Sequence, residues 1–191
     1  MVIARVEQDG TAGDGRLDES VLVAAALDDP QAFGRLYDRH IATVYRYLYA
    51  RTGSRETAED LASQTFMRAL SGLAHFRAGQ PFLPWLLTIA HNTLIDHRRA
   101  SARAVRLFTR LVAMRPEVST TPAYDDDTAE FLALTEGLPT VQRDALALRF
   151  LIGLDVAEVA VVVRRSRDAT RMMLFRALRT LRARAEQEER R

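Results

Sequence analysis

The sequence contains no cysteine and no lysine, and all 27 of its basic residues are arginine. Without cysteine a chain forms neither disulfides nor thiolate metal sites, which argues against a small secreted fold held by cross-links. The first residues lack an apolar run of signal-peptide length, and no later stretch approaches the roughly 20 apolar residues that cross a bilayer. We therefore predict a cytoplasmic protein without membrane insertion.

Patterns typical of catalytic and metal sites are also scarce. The chain has no HExxH motif, phosphate-binding loop or nucleophile elbow. Its histidines include no pair spaced four apart on one helix face; they are His40, His75, His91 and His97. We predict that the protein is not an enzyme and that it has no catalytic residue, bound metal or cofactor.

Apolar residues recur at helical spacing along most of the chain, and no comparable alternating run is present. The clearest stripe comprises Phe33, Leu36, Tyr37, Ile41, Val44, Tyr45 and Leu48. The pattern predicts an all-α fold with helices near 18–29, 31–51, 55–73, 81–112, 128–137, 139–151, 155–163 and 167–187. Thr57 and Asp60 have capping-box spacing, and Pro139 suits a first helical turn.

One segment, RPEVSTTPAYDDD at Arg115–Asp127, differs from the rest because it is rich in proline, hydroxyl and acidic residues and has little to bury. It predicts a flexible acidic linker between two small helical domains. The predicted divisions are an N-terminal extension expected to be flexible (1–17), a first domain (18–113), the linker (114–129), a second domain (130–185) and a charged tail (186–191).

Charge is distributed unevenly. The segment Arg164–Arg191 holds ten arginines and four acids, whereas Pro116–Glu130 has no basic residue. Such asymmetry suggests nucleic-acid contact at the basic end. Ordinary solvated helix faces, encoded by a GC-rich genome that favours arginine, explain the composition equally well.

The order of elements after Leu138 is a helix, a short helix, a tight RRS connection and a longer basic helix, which is typical of a helix-turn-helix. Ser166 is placed to cap the last helix. Its predicted inward residues are Ala169, Leu174, Ala177 and Leu181. Its predicted outward residues, which could contact phosphates or guanine edges, are Arg167, Arg171, Arg176 and Arg179. The alternative is an ordinary helical hairpin whose solvent-exposed face is basic.

A second informative segment, HFRAGQPFLPWLLTIAHNTLIDHRRA at His75–Ala100, joins an aromatic loop to a helix that ends in Arg98 and Arg99. Aromatic rings beside arginine can stack unpaired bases and hold their phosphates, which suits single-stranded DNA. The competing interpretation is that Trp85 belongs to the core and that the two arginines complement the helix dipole.

Taken together, these segments resemble the extracytoplasmic-function (ECF) group of the sigma-70 family, bacterial RNA polymerase sigma factors that retain regions 2 and 4. The matching strings are DPQAFGRLYDRHIATVYRYLYARTG, AEDLASQTFMRAL, FRAGQPFLPWLLTIAHNTLIDHRR, LPTVQRDALALRFLIGLDVAEVA and RMMLFRALRTLR. They cover most of residues 28–182 in the family's order. The resemblance implies an alternative sigma factor that directs promoter-specific transcription initiation, with the first domain as region 2 and the second as region 4.

For region 2, the resemblance implies a face that binds the clamp helices of the polymerase β′ subunit, carried by Glu59, Asp60, Gln64 and Phe66. The family often has Gln-Glu where Ser63 and Gln64 stand here. The resemblance also implies recognition and melting of the minus-ten element, with capture of a flipped base. The residues at the matching positions are Phe76, Arg77, Gln80, Trp85, Asn92, Arg98 and Arg99.

For region 4, the resemblance implies contact with the β flap of the polymerase and recognition of the minus-thirty-five element. The residues implied are Ser166, Arg167, Arg171, Phe175 and Arg176. Two positions depart from the family: Arg164 replaces a turn glycine, and Thr170 replaces an inward aliphatic residue. The partners implied are core polymerase, promoter DNA and, in part of the family, an anti-sigma factor.

One alternative from another functional class stays open. In a stand-alone helix-turn-helix regulator, an N-terminal helical domain would sense a signal and the C-terminal module alone would bind an operator. Against it, the first domain shows no evident strand and therefore no βα scaffold for a phosphorylatable aspartate. Tight specific binding to duplex DNA without polymerase would favour the regulator, because a sigma factor should require the core enzyme.

Overall fold

The computed structural model describes residues 14–77, 79–108 and 126–188, and within those ranges it contains eight α-helices and no β-strand. The prediction of an all-α fold is confirmed. Most of the predicted linker, the end of the predicted helix 81–112 and residues 1–13 lie outside the described residues. No described helix is both long and apolar enough to cross a membrane.

The N-terminal half contains α1 (Asp14–Ala25), α2 (Pro30–Thr52), α3 (Arg55–Gly72), a short 3-10 turn (Leu73–His75) and α4 (Phe82–Phe108). Helix α2 begins where Asp29 accepts a hydrogen bond from the Gln31 amide at 2.9 Å, with proline in the first turn. It ends at Gly53, whose φ of 67° is left-handed. The local sequence therefore sets both ends of this helix.

The beginning of α3 differs from the prediction. Ser54, with extended backbone, caps the helix by accepting from the Thr57 amide at 3.3 Å. The predicted capping box of Thr57 and Asp60 is therefore wrong, because Thr57 already lies in the first helical turn. A capping box does occur at the start of α7, where Asp155 and Glu158 each accept from the other's backbone amide.

The C-terminal half contains α5 (Asp126–Leu134), α6 (Thr140–Leu146), a π-helical turn (Ala147–Leu151) that continues α6, then α7 (Val156–Val162) and α8 (Arg167–Glu188). Pro139 is the N-cap of α6 rather than a residue of its first turn. Helix α8 packs against both α6 and α7, which is the helix-turn-helix arrangement that the order of elements predicted.

Three helix ends differ from the predicted divisions of the chain. Helix α1 begins at Asp14, inside the predicted N-terminal extension, and α5 begins at Asp126, inside the predicted linker. Helix α8 extends to Glu188, into the predicted tail. In each case the helix extends beyond the outermost residue that an apolar pattern could mark, because polar residues also form exposed helix ends.

The two halves pack together. Helix α4 lies against α7, and α2 lies against α5 and the π-helical turn. Buried side chains of both halves belong to one continuous apolar cluster, which includes Leu48 and Leu94 from the first half and Leu148 and Val159 from the second. This contact brings charged groups of α2, α4 and α6 together, as described below.

Candidate nucleic-acid interface

The loop before α4 is built on three aromatic rings. Phe82 is 1% exposed and anchors the start of the helix in the core. Phe76 and Trp85 are half-buried; the Phe76 ring lies edge-on to Phe82 at 5.7 Å and to Trp85 at 5.1 Å between ring centroids. Trp85 therefore packs on the core, as its alternative interpretation held, while part of its surface still faces solvent.

The loop itself exposes Arg77 and Gln80, and Gly79 supplies a left-handed turn with a φ of 85°. A cavity of about 260 Å³ lies between this loop and α1. Its walls include Val23 of α1, Leu27 just after that helix, and Gln80 of the loop. The predicted loop residues thus border an apolar recess with polar groups at its rim.

Glu19 of α1 also borders this cavity. Its carboxylate accepts from His40 Nε2 at 2.8 Å, and that hydrogen bond lowers the pKa of Glu19 below its ordinary value. A carboxylate that stays ionised repels phosphate but accepts from the amino groups of bases. The recess is therefore better suited to a base than to the DNA backbone.

The second half of α4 carries the predicted basic residues. Asn92 is half-buried and Arg99 is exposed. Arg98, expected to hold a phosphate, is half-buried and already paired: its Nη1 donates to Asp144 of α6 at 3.3 Å, and its Nη2 donates to the Arg51 carbonyl at 3.3 Å. In this arrangement Arg99 can meet a phosphate directly, whereas Arg98 is held by a carboxylate of the other half.

Asp144 and Arg51 form the centre of the contact between the halves. Arg51 Nε donates to Asp144 Oδ1 at 2.6 Å, and its Nη2 donates to the Thr140 carbonyl at 3.4 Å. The two side chains are 1% and 3% exposed. The sequence interpretation missed both residues. A signal was present, since Arg51 continues the apolar stripe of Val44 and Leu48 at helical spacing.

A buried hydrogen bond lies beside this ion pair. The Tyr47 hydroxyl and His91 Nδ1 are 2.8 Å apart. Burial raises the pKa of Tyr47 well above its ordinary value and lowers the pKa of His91. Tyr47 therefore stays protonated and His91 neutral. When the hydroxyl donates the hydrogen bond to Nδ1, the ring hydrogen is on Nε2.

In the helix-turn-helix, the turn between α7 and α8 has an unusual backbone conformation at Arg164, one of the two positions that depart from the family pattern. Arg164 has a φ of 53°, the only described non-glycine residue with a positive φ. The family's glycine position thus keeps its left-handed backbone although arginine occupies it. Ser166 Oγ then accepts from the Ala169 amide at 3.2 Å, which confirms the predicted helix cap.

The register of α8 differs by one residue at its start. Ala169 is exposed rather than inward, and the buried residue of that turn is Thr170, which the family resemblance had placed at an inward position. The Thr170 hydroxyl has no hydrogen-bond partner. Leu174 and Ala177 are inward as predicted. Because the apolar spacing fits either register, only packing against α6 and α7 decides between Ala169 and Thr170.

The outer face of α8 presents the predicted contact residues to solvent. Phe175 is 58% exposed, which is unusual for a large apolar side chain, and Arg171 pairs weakly with Asp168 at 3.5 Å. The remaining members of this face are also exposed: Arg167, Arg176 and Arg179. The helix therefore offers several guanidinium groups on one side.

The predicted polymerase-binding residues of α3 divide into two groups. Glu59 and Asp60 are exposed, and Gln64 donates to Asp60 at 2.8 Å. Phe66 differs from the expectation, because it is 4% exposed and packs on Tyr37 with ring centroids 4.7 Å apart. Phe66 therefore contributes to the core on the buried side of α3. The exposed apolar residues of α3, which sequence reasoning missed, are Met67 and Leu70.

Comparison with known proteins gives the family of this arrangement. The model of Sigma-70 region 2 matches residues 36–104, and that of Sigma-70, region 4, matches residues 128–181. The ECF RNA polymerase sigma factor SigM of Bacillus subtilis is 31% identical over 150 residues, which are 78% of this chain and 91% of that protein. The chain therefore belongs to the ECF group of the sigma-70 family.

Two further relatives bear on the length and the fold. The ECF RNA polymerase sigma factor BldN of Streptomyces coelicolor is 40% identical over 164 residues, or 82% of this chain; the match spans only 61% of BldN. The solved structure of CnrH in complex with the cytosolic domain of CnrY has a TM-score of 0.65 at 26% identity. That match covers 88% of this chain and 97% of CnrH.

Proposed function

We propose that this protein is an alternative sigma factor, a non-catalytic cytoplasmic subunit that brings core RNA polymerase to a subset of promoters. The observation that carries the proposal is the presence, in one chain and in family order, of an aromatic loop leading into a basic helix and a helix-turn-helix. Either module alone is common. The matched regions 36–104 and 128–181 contain both.

In the first domain, 18–113, the proposed role is recognition and melting of the minus-ten element. The recess beside Phe76 and Gln80 takes a base that has left the stack, and contact with the Phe76 ring offsets part of the few kcal/mol that unstacking costs. Trp85 packs against Phe76 and holds that ring in place. Arg77 and Arg99 are exposed near the base site and along α4, where they hold backbone phosphates. Asn92 is the half-buried polar group between them.

In the second domain, 130–185, the proposed role is to read the minus-thirty-five element with α8. Ser166 caps the helix and directs its free amides toward a phosphate. Arg171, Phe175 and Arg176 are exposed on one side and contact base edges and thymine methyl groups in the major groove.

The proposed polymerase contact lies on α3. Exposed carboxylates of Glu59 and Asp60 flank the exposed apolar residues Met67 and Leu70, so the face combines charge with apolar area, as protein interfaces do. Its partner is the pair of β′ clamp helices, and the second domain meets the β flap. We also propose a regulatory protein partner, an anti-sigma factor, because CnrH is solved in complex with a domain of CnrY.

The test is run-off transcription with purified core polymerase over a promoter library, with core enzyme alone as the control. A sigma factor yields a defined set of transcripts that are absent without the protein. A stand-alone regulator would instead bind duplex DNA tightly without polymerase and start no new transcript. That result, seen with folded protein, would reject the proposal.

A further inference from the structure

The contact between the two domains is built around a single carboxylate that several arginines share. Asp144 accepts from Arg51 at 2.6 Å and from Arg98 at 3.3 Å. Burial lowers the pKa of Arg143, which is beside Asp144 in the sequence, and the positive charges of Arg51 and Arg98 lower it further. The site therefore contains more positive than negative charge, and a negative group is needed to hold the arginines together.

Both guanidinium groups belong to the first domain, while their main acceptors belong to the second. Of the three acceptors of Arg51, Asp144 and the Thr140 carbonyl lie in α6, and only the Ala50 carbonyl lies in its own domain. If the second domain moves away, Arg51 and Arg98 lose their carboxylate and face water side by side. A pair of guanidinium groups in that position is an anion site.

The same position lies on the proposed path of DNA. Arg98 is next to Arg99 near the basic end of α4, which the proposed function places along the promoter backbone. A guanidinium fork matches a phosphate as well as it matches a carboxylate. The aspartate and the phosphate therefore require the same donors and exclude each other.

We propose that Arg51 and Arg98 form one anion site, which Asp144 occupies in this structure and a DNA backbone phosphate occupies when the second domain moves away. This rests on the proposed function for the approach of DNA along α4. It adds Arg51 as a phosphate ligand and makes the domain contact a competitor of DNA. The coupling between DNA binding and domain separation is reciprocal. The factor by which separation of the domains tightens DNA binding therefore equals the factor by which bound DNA shifts the domains toward separation.

The first experiment measures that coupling in the unaltered site. The chain contains no cysteine, so Glu56→Cys on α3 and Glu186→Cys on α8, both exposed, can carry a donor and an acceptor dye. Titration with a short single-stranded DNA of mixed sequence, at low salt and without polymerase, should lower the transfer efficiency as binding saturates. Unchanged efficiency at saturation would overturn the proposal, and no variant of the site is needed.

The second experiment compares Asp144→Asn with Asp38→Asn. Both remove one negative charge, but Asp38 is exposed on α2. Asp144→Asn should lower the transfer efficiency without DNA and tighten DNA binding by roughly threefold or more, because a charge-assisted acceptor is lost. Asp38→Asn should leave the efficiency unchanged. Equal behaviour of the two variants, with helix content preserved by circular dichroism, would overturn the role of Asp144.

The third experiment assigns the phosphate ligand. Adding Arg51→Ala to the Asp144→Asn chain should weaken DNA binding by roughly fivefold. It should also reduce the slope of log affinity against log salt by about 0.7, the value for one phosphate on single-stranded DNA. An unchanged affinity and slope would reject Arg51 as a ligand. These assays use no polymerase, so failure of the run-off assay would reject the sigma function while leaving the anion site to stand on its own result.

Discussion

Arg51 and Asp144 are 93 positions apart in the sequence, yet Arg51 Nε lies 2.6 Å from Asp144 Oδ1 with both side chains buried. The pair joins the end of α2 to the middle of α6. Because both charged side chains are buried, the pair is a polar contact between the two domains that is shielded from solvent. It therefore bears both on the stability of the packed form and on the access of Arg98 to DNA.

We expect that breaking this pair from one side lowers the free energy of unfolding by about 3–5 kcal/mol, because the remaining charge is buried without its partner. Asp144→Leu should show this loss, whereas Arg51→Met should show a smaller one because Asp144 keeps Arg98 as a partner. The double variant Arg51→Met, Asp144→Leu should recover most of it, since Arg98 is 28% exposed and can turn to water. Urea unfolding of the two single variants and the double variant measures the difference. If the double variant loses as much as the single ones combined, the contact is not a coupled pair.

Thr170 should be replaceable with a gain in stability. Its hydroxyl is buried without a hydrogen-bond partner, so Thr170→Val removes an uncompensated desolvation cost and should stabilise by about 1 kcal/mol. Thr135 is the matched control, because it is equally buried but donates to the Phe131 carbonyl at 2.7 Å. Thr135→Val should destabilise by about 1 kcal/mol. Thermal unfolding that shifts in the same direction for both variants would contradict this account.

The turn before α8 offers a second stabilising change. A left-handed residue other than glycine costs about 1–2 kcal/mol, whereas glycine costs about 0.5–1 kcal/mol in backbone entropy. Arg164→Gly should therefore raise the free energy of unfolding by about 0.5–1 kcal/mol, because Arg164 has a φ of 53°. Arg165→Gly, at the next position, gains no such relief and should destabilise. Equal free energies of unfolding for the two glycine variants would exclude backbone strain at Arg164.

The buried His91 should make stability depend on pH. Burial lowers its pKa in the folded protein below the ordinary value of 6.5. The charge of Asp144 opposes this shift, while three guanidinium groups add to it; they are Arg98, Arg51 and Arg164. As the pH falls through 6.5, the unfolded chain takes up a proton that the folded chain refuses. The free energy of unfolding should therefore fall on acidification.

A variant that retains the acceptor isolates this effect. In His91→Asn the amide oxygen can replace Nδ1 as the acceptor for Tyr47 without titrating. Thermal unfolding followed from about pH 7.5 to about pH 5 should show a shallower decline than in the parent chain. Glu19, whose pKa is lowered from 4.5, contributes a further loss only below that value. Parallel curves for the two chains would exclude His91 as the source.

Local chemistry predicted much of this fold but little of the contact between its halves. Periodic apolar residues located the helices, and a serine before a basic helix located a cap, because both depend on neighbouring residues. The spacing marked Ala169 as inward and was wrong there, whereas the family resemblance had placed Thr170 at an inward position; two adjacent small residues fit the spacing equally well. The Arg51–Asp144 pair depends on how two domains meet, and nothing within either segment specifies its partner.

In the candidate site, too, features that depend on neighbouring residues were predicted, whereas contacts between distant segments were not. Exposed Arg171 and Arg176 are where the basic helix predicted them, since a solvent-facing stripe follows from helical periodicity alone. Phe66 was expected at a polymerase contact and is buried, because the family motif marks a position on the helix but not the face that the core takes. Arg98 was expected on phosphate and is held by Asp144.

The last prediction concerns α8. The variant Arg171→Ala, Arg176→Ala should reduce run-off transcription by roughly tenfold or more from a promoter with a strong minus-thirty-five element, since one bidentate base contact contributes about 1–3 kcal/mol of discrimination. The same variant should lose much less on a promoter whose minus-thirty-five element is scrambled. Arg182→Ala, exposed further along the helix, is the matched control and should be close to the parent on both. An equal loss on both promoters would place these arginines on sequence-independent phosphates, because a base contact must distinguish the two sequences.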